Sequence, residues 1–480
     1  MILSSKKVLI VCLDLLCLAV MPFLPERHFS TACILFSDLY ILLLVIGQIR
    51  GRLQNPAIFF LGLTWFLFLL SGATFSLLNG QPPFVYLDME ITAVNQGCLI
   101  VLVGSCCLTT SWIVCDGLVL RPVLPRRRSE HAAEPTPLQK LAVSLLFLLT
   151  AVCKGLVIWE NAAISRTAGY HMLYLQRSSA LPVLVHHVAA LFYFSLTLFL
   201  ACRFRAYITG TAYVVIIIFS ILLLITGDRT EAICGILLLI CYTIWRCRSE
   251  AHFFRHRTLA VVLLIVLLPL IPYLLQSVTY LRIGEAVPRQ FREQLLDFMR
   301  DQGVTLKLPV HAVQLRESLR RRVGGSFILG QLRAYAEQNA LSRALFHIPK
   351  IAENTVEMAQ SGYCYASAVS WLSMPDSYLR GIGAGTCYLA ELYHDGSWLG
   401  VIVGSILTAF LLHGLNRLPS MGWLPFALYL NCIRSLFMLP RGPSLHWLTE
   451  TLSVPNLLLL ALILLIGAIS RPTVHGGVSR

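Results

Sequence analysis

The residues best suited to chemistry lie in three short polar segments, each beside a long apolar run. The first segment, Gly227-Asp228-Arg229-Thr230-Glu231, joins two apolar runs. The run at 232–245 is too short to cross a bilayer alone, so its helix must begin near Asp228 and carry Arg229 in the first turn. Asp228 and Glu231 then have the spacing of a capping box, with Asp in place of Ser or Thr.

An arginine in the first turn of a helix suits the binding of an anion. Backbone N–H groups, the positive end of the helix dipole and the Arg229 guanidinium would converge on such a ligand. Phosphate is the obvious candidate, and we expect Asp228 and Arg229 to lie beside it. The alternative is a structural hairpin, in which Asp228 and Glu231 cap the turn and pair with Arg229.

The second segment, Pro440-Arg441-Gly442-Pro443-Ser444, follows an apolar run that itself contains Arg434 about two turns earlier. Proline and glycine form a sharp turn that could aim Arg441 inward, towards a bound anion. The alternative is an interfacial arginine that extends to lipid headgroups. Arg434 is harder to explain in that way, because a charge deep in an apolar run is costly unless it has a function.

The third segment runs from Arg380 to the start of another apolar run near 397. Glycines at 381, 383 and 385 permit unusual backbone angles and the close approach of a ligand. A cluster of side chains suited to general-base catalysis or hydroxyl binding then follows: Glu391, Tyr393, His394 and Asp395. The alternative is that this cluster only caps a helix and anchors it at the membrane interface.

Other catalytic patterns are missing from the sequence. It contains no Cys-x-x-Cys pair, no His-Glu-x-x-His motif and no Asp-x-Asp dyad, so we expect neither a metal site nor another cofactor. It also contains no serine nucleophile elbow.

The composition shows which elements must position these segments. The chain has 480 residues, of which 57% are hydrophobic and only 13% are charged. An average soluble protein is about 25% charged, so a water-soluble globular protein is excluded. The sequence therefore predicts an integral membrane protein that is all-α.

A bilayer-spanning helix needs roughly 20 apolar residues. Twelve stretches meet or approach this length, and we predict about 12 transmembrane helices at 8–24, 31–49, 56–78, 93–116, 141–158, 181–201, 208–226, 228–245, 259–279, 397–414, 421–439 and 452–470. One large external loop, 280–396, separates the ninth span from the tenth. We therefore expect a bundle at 1–279, a loop with amphipathic helices at 280–396, among them 291–299 and 313–333, and a second bundle at 397–480.

The formal charge of +14 is largely a signal of orientation. With the N-terminus in the cytoplasm, most cations of the short connections fall on the cytoplasmic side, which is the positive-inside pattern. Both termini are then cytoplasmic and the long loop is external. No basic–aromatic interleaving accompanies the charge, so we reject nucleic acid as a partner.

Most of the fifteen cysteines lie in or beside apolar segments, where they are most simply small hydrophobic residues. Cys364 and Cys387 fall in the external loop. They could form a disulfide bridge if that loop faces an oxidising compartment.

Four elements together resemble the O-antigen polysaccharide polymerases, the Wzy-type enzymes of bacterial inner membranes. They are Thr226-Gly227-Asp228-Arg229-Thr230, Asp301-Gln302-Gly303-Val304-Thr305, Tyr388-Leu389-Ala390-Glu391-Leu392-Tyr393 and Leu439-Pro440-Arg441-Gly442. The order and placement of these elements are specific, and the resemblance covers most of the chain. One departure is His394-Asp395-Gly396, where that family usually has Tyr-Asn-Phe-Gly.

The resemblance implies a metal-independent glycosyltransferase with a GT-C-like helical bundle, in the bacterial inner membrane. It would transfer a growing glycan from undecaprenyl pyrophosphate to a lipid-linked repeat unit at the periplasmic face. The implied partners are these lipid-linked oligosaccharides and membrane lipid, and a chain-length regulator is a further candidate. An O-antigen ligase and a lipid-linked oligosaccharide flippase are the alternatives.

Inverting transfer requires a base for the acceptor hydroxyl and cations for the departing pyrophosphate. We expect Arg229 and Arg441 to be the cations, with Arg282 and Arg380 as helpers. Glu391 is the candidate base, and His394, Asp395 and Asp228 are its rivals. Tyr393, His394 and Arg434 are expected to contact the substrate.

Overall fold

The computed structural model describes residues 5–51, 53–83, 89–118, 134–168, 179–226, 228–250, 273, 275–277, 280 and 290–470. Arg282, Gly227 and most of the predicted ninth span lie outside the described residues. The described part is helical and contains no β-strand, as the composition predicts.

The first ten helices belong to the part of the chain that precedes the predicted external loop. Their bounds are α1 Ser5–Val20, α2 Glu26–Arg50, α3 Pro56–Trp65, α4 Ser71–Leu78, α5 Ile91–Leu118, α6 Pro137–Ala168, α7 Val183–Ala190, α8 Phe192–Ala201, α9 Ala206–Thr226 and α10 Arg229–Ser249. A π-helical turn, Phe66–Leu70, joins α3 to α4 without a break.

The remaining helices form the predicted loop and the last part of the bundle. In the loop they are α11 Phe291–Gly303, α12 Lys307–Gln314, α13 Arg316–Arg322, α14 Phe327–Glu337, α15 Ala340–Phe346, α16 Val356–Gln360, α17 Tyr365–Ser373 and α18 Pro375–Leu379. The last five are α19 Tyr388–Leu415, α20 Leu418–Met421, α21 Trp423–Leu436, α22 His446–Thr451 and α23 Val454–Ile469.

Eight helical stretches of the described residues are long and apolar enough to cross a bilayer. They are Glu26–Arg50, Pro56–Leu78, Ile91–Cys115, Pro137–Thr167, Val183–Ala201, Ala206–Leu224, Arg229–Ser249 and Tyr388–Met421. Each overlaps one of the twelve predicted spans, so the chain is a multi-pass membrane protein. The count of twelve and the place of the loop stay predictions.

Three other predicted spans correspond to shorter helices. The helices α1 and α23 have 16 residues each and α21 has 14. At 1.5 Å per residue, α21 extends only ~21 Å, against the ~30 Å of a hydrocarbon core. It ends at Leu436 because the chain then enters a 3₁₀ turn, Leu439–Arg441, whose Pro440 has no backbone N–H to continue the helix.

The predicted boundary between the loop and the tenth span lies inside one helix. The helix α19 begins at Tyr388, nine residues before the predicted span, and is interrupted at Ser397, whose φ of 53° and ψ of −143° are not helical. The interruption brings Gly400 against Leu392, where an added Cβ would lie 2.2 Å from the Leu392 carbonyl oxygen. A larger residue at Gly400 would therefore disturb this kink.

The buried apolar side chains form two clusters. One joins residues of α1–α5 to α12–α14, α17, α19, α21 and α22, and the other joins residues of α3, α6 and α8–α10 to α21 and α23. The loop helix α11 packs against α4, where an added Cβ on Gly303 would lie 2.3 Å from the Gly72 backbone nitrogen. Backbone contact this close requires glycine, so Gly303 fixes the position of Gln302 beside the bundle.

Candidate functional site

A cavity of about 350 Å³ opens where the start of α10 meets the end of α21, the 439–443 turn and α22. Its wall is formed by Asp228, Thr230, Glu231, Cys234, Arg434, Ser435, Met438, Arg441, Gly442, Pro443, His446 and Glu450. The fold thus brings two of the three predicted segments to one place. The wall contains two arginines and three carboxylates.

Asp228 is the N-cap of α10, as its spacing predicts. Its Oδ1 accepts a hydrogen bond from the Glu231 backbone N–H at 3.2 Å. The Glu231 carboxylate does not complete a capping box but pairs with Lys154 of α6 at 2.6 Å. Burial, and then the nearby Glu231 charge, raise the pKa of Asp228 above its usual value. Asp228 therefore takes up a proton more readily than an ordinary aspartate.

Arg434 is the buried cation of the cavity, with 8% of its surface exposed. Its guanidinium is paired with the Glu450 carboxylate and lies over the Tyr193 ring, 4.1 Å from the ring centroid. Glu450 also accepts a hydrogen bond from the Ser435 hydroxyl. The Nε of Arg434 is buried without a hydrogen-bond partner among the described residues. Arg434 is also one of the residues that line the cavity.

Arg441 is the exposed cation at the opening of the cavity. The 3₁₀ turn directs it over the Phe68 ring, at 5.5 Å, and its Nη1 donates to the Gln302 side-chain oxygen at 2.9 Å. Two of the four elements that carry the family resemblance are therefore in direct contact. Arg229 lies between two lining residues, but its own side chain is not part of the lining in the described structure.

Glu391, the predicted base, lies outside the cavity and is 1% exposed. Its Oε2 accepts hydrogen bonds from the Ser444 backbone N–H at 2.8 Å, the Ser444 hydroxyl at 2.6 Å and the Gln331 amide at 2.8 Å. Its Oε1 accepts one from the Thr386 hydroxyl at 2.7 Å. Gln331 completes the network by accepting from the Leu445 backbone N–H at 2.9 Å. Glu391 thus holds the chain directly after Arg441.

The other members of the predicted cluster also point away from the cavity. Asp395 accepts from the Ser326 hydroxyl at 2.5 Å and from the Phe327 and Ile328 backbone N–H groups at 3.0 and 2.9 Å. It therefore stabilises the first turn of α14. Tyr393 and His394 are each 4% exposed and lie beside other residues of the loop.

Two further expectations have plain outcomes. Arg380 is exposed and donates to the Asp376 carbonyl oxygen at 3.1 Å, so the structure does not bring it to the cavity.

Cys364 and Cys387 are both free thiols. The bridge considered between them is therefore not formed in the structure.

Sequence reasoning missed Glu450 and Lys154, and it left Glu231 as no more than a capping residue. A carboxylate close before the last apolar run was the available signal for Glu450. Nothing in the sequence links Lys154 to Glu231, because their contact depends on how α6 packs beside α10. Among the described residues, no group of three or more His, Cys, Asp or Glu side chains is placed to hold a metal ion.

The arrangement suits acid–base chemistry beside a bound anion. Glu231 is paired with Lys154, and Glu450 is paired with Arg434. Asp228 instead accepts a hydrogen bond from a backbone N–H. Arg434 and Arg441 enter the same cavity from different depths. A guanidinium group can donate two parallel hydrogen bonds to two oxygens of one phosphate, and it stays charged at any physiological pH.

Comparison with known proteins identifies a family for the chain. The comparison with curated proteins found no match, and neither did the comparison with solved structures. The family described as O-antigen polysaccharide polymerase Wzy matches residues 7–470, nearly the whole chain. That range contains the cavity, the Glu391 network and all the described loop helices. The chain therefore belongs to the O-antigen polysaccharide polymerase (Wzy) family.

Proposed function

We propose that the chain polymerises O-antigen by transferring a growing glycan from undecaprenyl pyrophosphate to a lipid-linked repeat unit at the periplasmic face. The family is one of glycosyltransferase-type polymerases of lipopolysaccharide biosynthesis, which act on lipid-linked repeat units in the membrane. The donor, the acceptor, the inverting outcome and the side of the membrane are our proposals. They rest on the cavity and on the distribution of charge along the chain.

The cavity is the observation that carries the proposal. It joins the buried Arg434, the exposed Arg441 at its opening and Asp228, a carboxylate with a raised pKa. Transfer of a sugar from a diphosphate needs cations for the leaving group and a base for the attacking hydroxyl. Residues of both kinds, arginines and a carboxylate, line the cavity.

In the proposed step, the acceptor hydroxyl oxygen attacks the anomeric carbon of the donor from the face opposite the diphosphate. The bond from that carbon to the diphosphate oxygen breaks, and the diphosphate leaves with the electron pair. Arg434 and Arg441 stabilise the charge that develops on it. Asp228 takes the hydroxyl proton. Arg229, at the edge of the lining, is proposed to contact the outer part of the same diphosphate.

Asp228 is a better candidate for the base than Glu391. A base must come within hydrogen-bond reach of the acceptor hydroxyl, and Asp228 lines the cavity whereas Glu391 does not. We propose that Glu391 is a positioning residue. Its bonds to Ser444 and Gln331 hold the turn that aims Arg441.

Replacing Glu391 by Gln separates the two roles. The glutamine oxygen can keep the three bonds made by Oε2, and its NH₂ group can donate to Thr386, whose hydroxyl is able to accept. We therefore expect Glu391→Gln to retain polymerisation within about tenfold of wild type, and Glu391→Ala to lose far more. The measurement is the initial rate in proteoliposomes. If the Gln variant is slower than wild type by about 10²-fold or more, Glu391 and not Asp228 is the general base.

The experiment that tests the proposed function is the size-resolved profile of lipid-linked glycans in cells that lack this chain. Loss of a polymerase should leave single repeat units on the lipid, exposed to the periplasm. Loss of a ligase would instead leave long polymer on the lipid, and loss of a flippase would leave units on the cytoplasmic side. Either of those profiles would overturn the proposal.

A further inference from the structure

A second cluster of cationic and aromatic side chains lies on the loop, away from the cavity. It consists of Arg316 and Arg320 of α13 with Tyr393, His394 and Trp398 of α19. The Arg316 guanidinium lies over the Tyr393 ring at 5.3 Å, and Tyr393 packs edge-on against Trp398 at 5.3 Å. Arg316 and Arg320 are four residues apart on α13 and so share one face of that helix. Both lie near His394, as does the Asp395 carboxylate. No residue of this cluster lines the cavity.

Two buried polar atoms of the cluster have no hydrogen-bond partner among the described residues. One is Nδ1 of His394, a side chain that is 4% exposed, and the other is Nε of Arg316. Buried polar atoms are nearly always paired, so each such atom calls for a ligand or a bound water. Phe327, at 4.8 Å from the His394 ring, holds that ring in place.

The charge of the cluster is set by α13. Its sequence, Arg-Glu-Ser-Leu-Arg-Arg-Arg, has four arginines and one acid. The acid, Glu317, pairs with Arg321 at 3.7 Å, and Arg322 lies over the Trp371 ring at 5.8 Å. The nearby Asp395 is occupied at the N-terminus of α14. No ion pair of Arg316 or Arg320 is found in the described structure, so these two guanidinium groups suit an anion.

The cluster lies where α19 enters the membrane. The exposed apolar side chains of α19 begin at Leu399, just after the kink at Ser397, and recur at Val403, Leu407 and Phe410. The part of α19 from Gly400 to its end at Leu415 extends ~24 Å at 1.5 Å per residue, most of the ~30 Å of a hydrocarbon core. Trp398 then lies at interface level, where tryptophan is enriched. An anion at this level would be the phosphate of a lipid.

The helix α14 connects this cluster to the Glu391 network, which holds the segment that follows Arg441. Phe327 contacts His394, and Gln331 contacts Glu391 and Leu445. The two contacts are four residues apart, or ~6 Å along the helix. A second lipid-linked substrate held at the cluster could therefore direct its sugar towards the cavity.

We propose that Arg316, Arg320 and His394 form a second phosphate-binding site, which takes a phosphate-bearing lipid at the membrane surface. It rests on the proposed function only for the identity of the lipid: a transferase with two lipid-linked substrates needs a second place for a diphosphate. The same chemistry fits a phospholipid headgroup. The two possible ligands are distinguished by competition: an anionic phospholipid displaces the diphosphate only if the site binds phospholipid headgroups.

The test counts farnesyl diphosphate bound to the purified full-length chain in phosphatidylcholine nanodiscs, by native mass spectrometry. Wild type is expected to bind two equivalents. The variant Arg316→Ala/Arg320→Ala should lose one, with affinity at that site lowered by about tenfold or more. The matched control Arg321→Ala/Arg322→Ala makes the same charge change on the same helix and should still bind two. Arg320→Glu, at an exposed position, repeats the test without removing the Arg316–Tyr393 contact.

Unchanged stoichiometry and affinity in both test variants, or an equal loss in the control, would overturn the second site. Arg441→Ala should remove the equivalent of farnesyl diphosphate that binds in the cavity. If it does not, the cavity proposal fails, and the result for the second site is unaffected. Adding phosphatidylglycerol to the nanodiscs identifies the source. If it displaces the second equivalent, the ligand is a phospholipid headgroup, and if it does not, the ligand is a lipid-linked diphosphate.

Discussion

Replacing Asp228 by Asn is expected to lower the polymerisation rate by about 10²–10⁴-fold, the usual contribution of a general base. Asparagine keeps the oxygen that accepts from the Glu231 backbone N–H and is itself a favoured N-cap residue. It cannot take a proton at physiological pH. The change therefore removes the proposed chemistry and keeps the start of α10. The measurement is the initial rate of elongation of a lipid-linked repeat unit in proteoliposomes.

The pH dependence gives an independent check on Asp228. Burial and the Glu231 charge raise its pKa, so the active, deprotonated form is lost at a higher pH than for an ordinary aspartate. We expect the wild-type kcat/KM to fall as the pH drops through that raised pKa. The residual activity of Asp228→Asn should lack this fall. A variant that retains wild-type rate and pH profile would remove Asp228 from the mechanism.

Replacing Arg441 by Ala is expected to lower the rate by about 10²–10³-fold, by analogy with the loss of one donor at a developing negative charge. Arg441 is exposed, and removing an exposed side chain usually costs little stability, so we expect the fold to stay intact. In cells, the lipid-linked glycans should shift from a ladder of lengths to single repeat units. The size-resolved glycan profile is the measurement.

Arg321→Ala is the matched control for Arg441→Ala. Arg321 is also an exposed arginine, and its partner is Glu317. We expect it to give a normal ladder and a normal rate. A normal ladder of glycan lengths in Arg441→Ala as well would show that Arg441 has no part in catalysis and that the 439–443 turn is only structural.

Three charged residues of the cavity were predictable because charge is rare in so apolar a chain. Asp228 and Arg441 stand out at the ends of apolar runs and Arg434 stands out inside one, and the fold brings the three together. Their partners were not predictable. The contacts of Arg434 with Glu450 and Tyr193 join parts of the chain that only tertiary packing places side by side.

The role of Glu391 shows the same limit. An acid in the first turn of a helix, next to tyrosine and histidine, has the composition of a catalytic cluster. Its function depends on the donors that meet it, and those from Gln331 and Ser444 come from distant segments. The helical class followed from composition alone, whereas the length of α21 and the kink at Ser397 depend on local turns that hydropathy does not register.

The most direct test of the account is the equilibrium binding of farnesyl diphosphate at the cavity. It should be measured in the Arg316→Ala/Arg320→Ala background, so that only the cavity is observed. We predict that adding Arg441→Ala weakens this binding by about tenfold or more, whereas adding Asp228→Asn does not weaken it. Equal affinity with and without Arg441 would contradict the claim that guanidinium groups in this cavity hold the diphosphate.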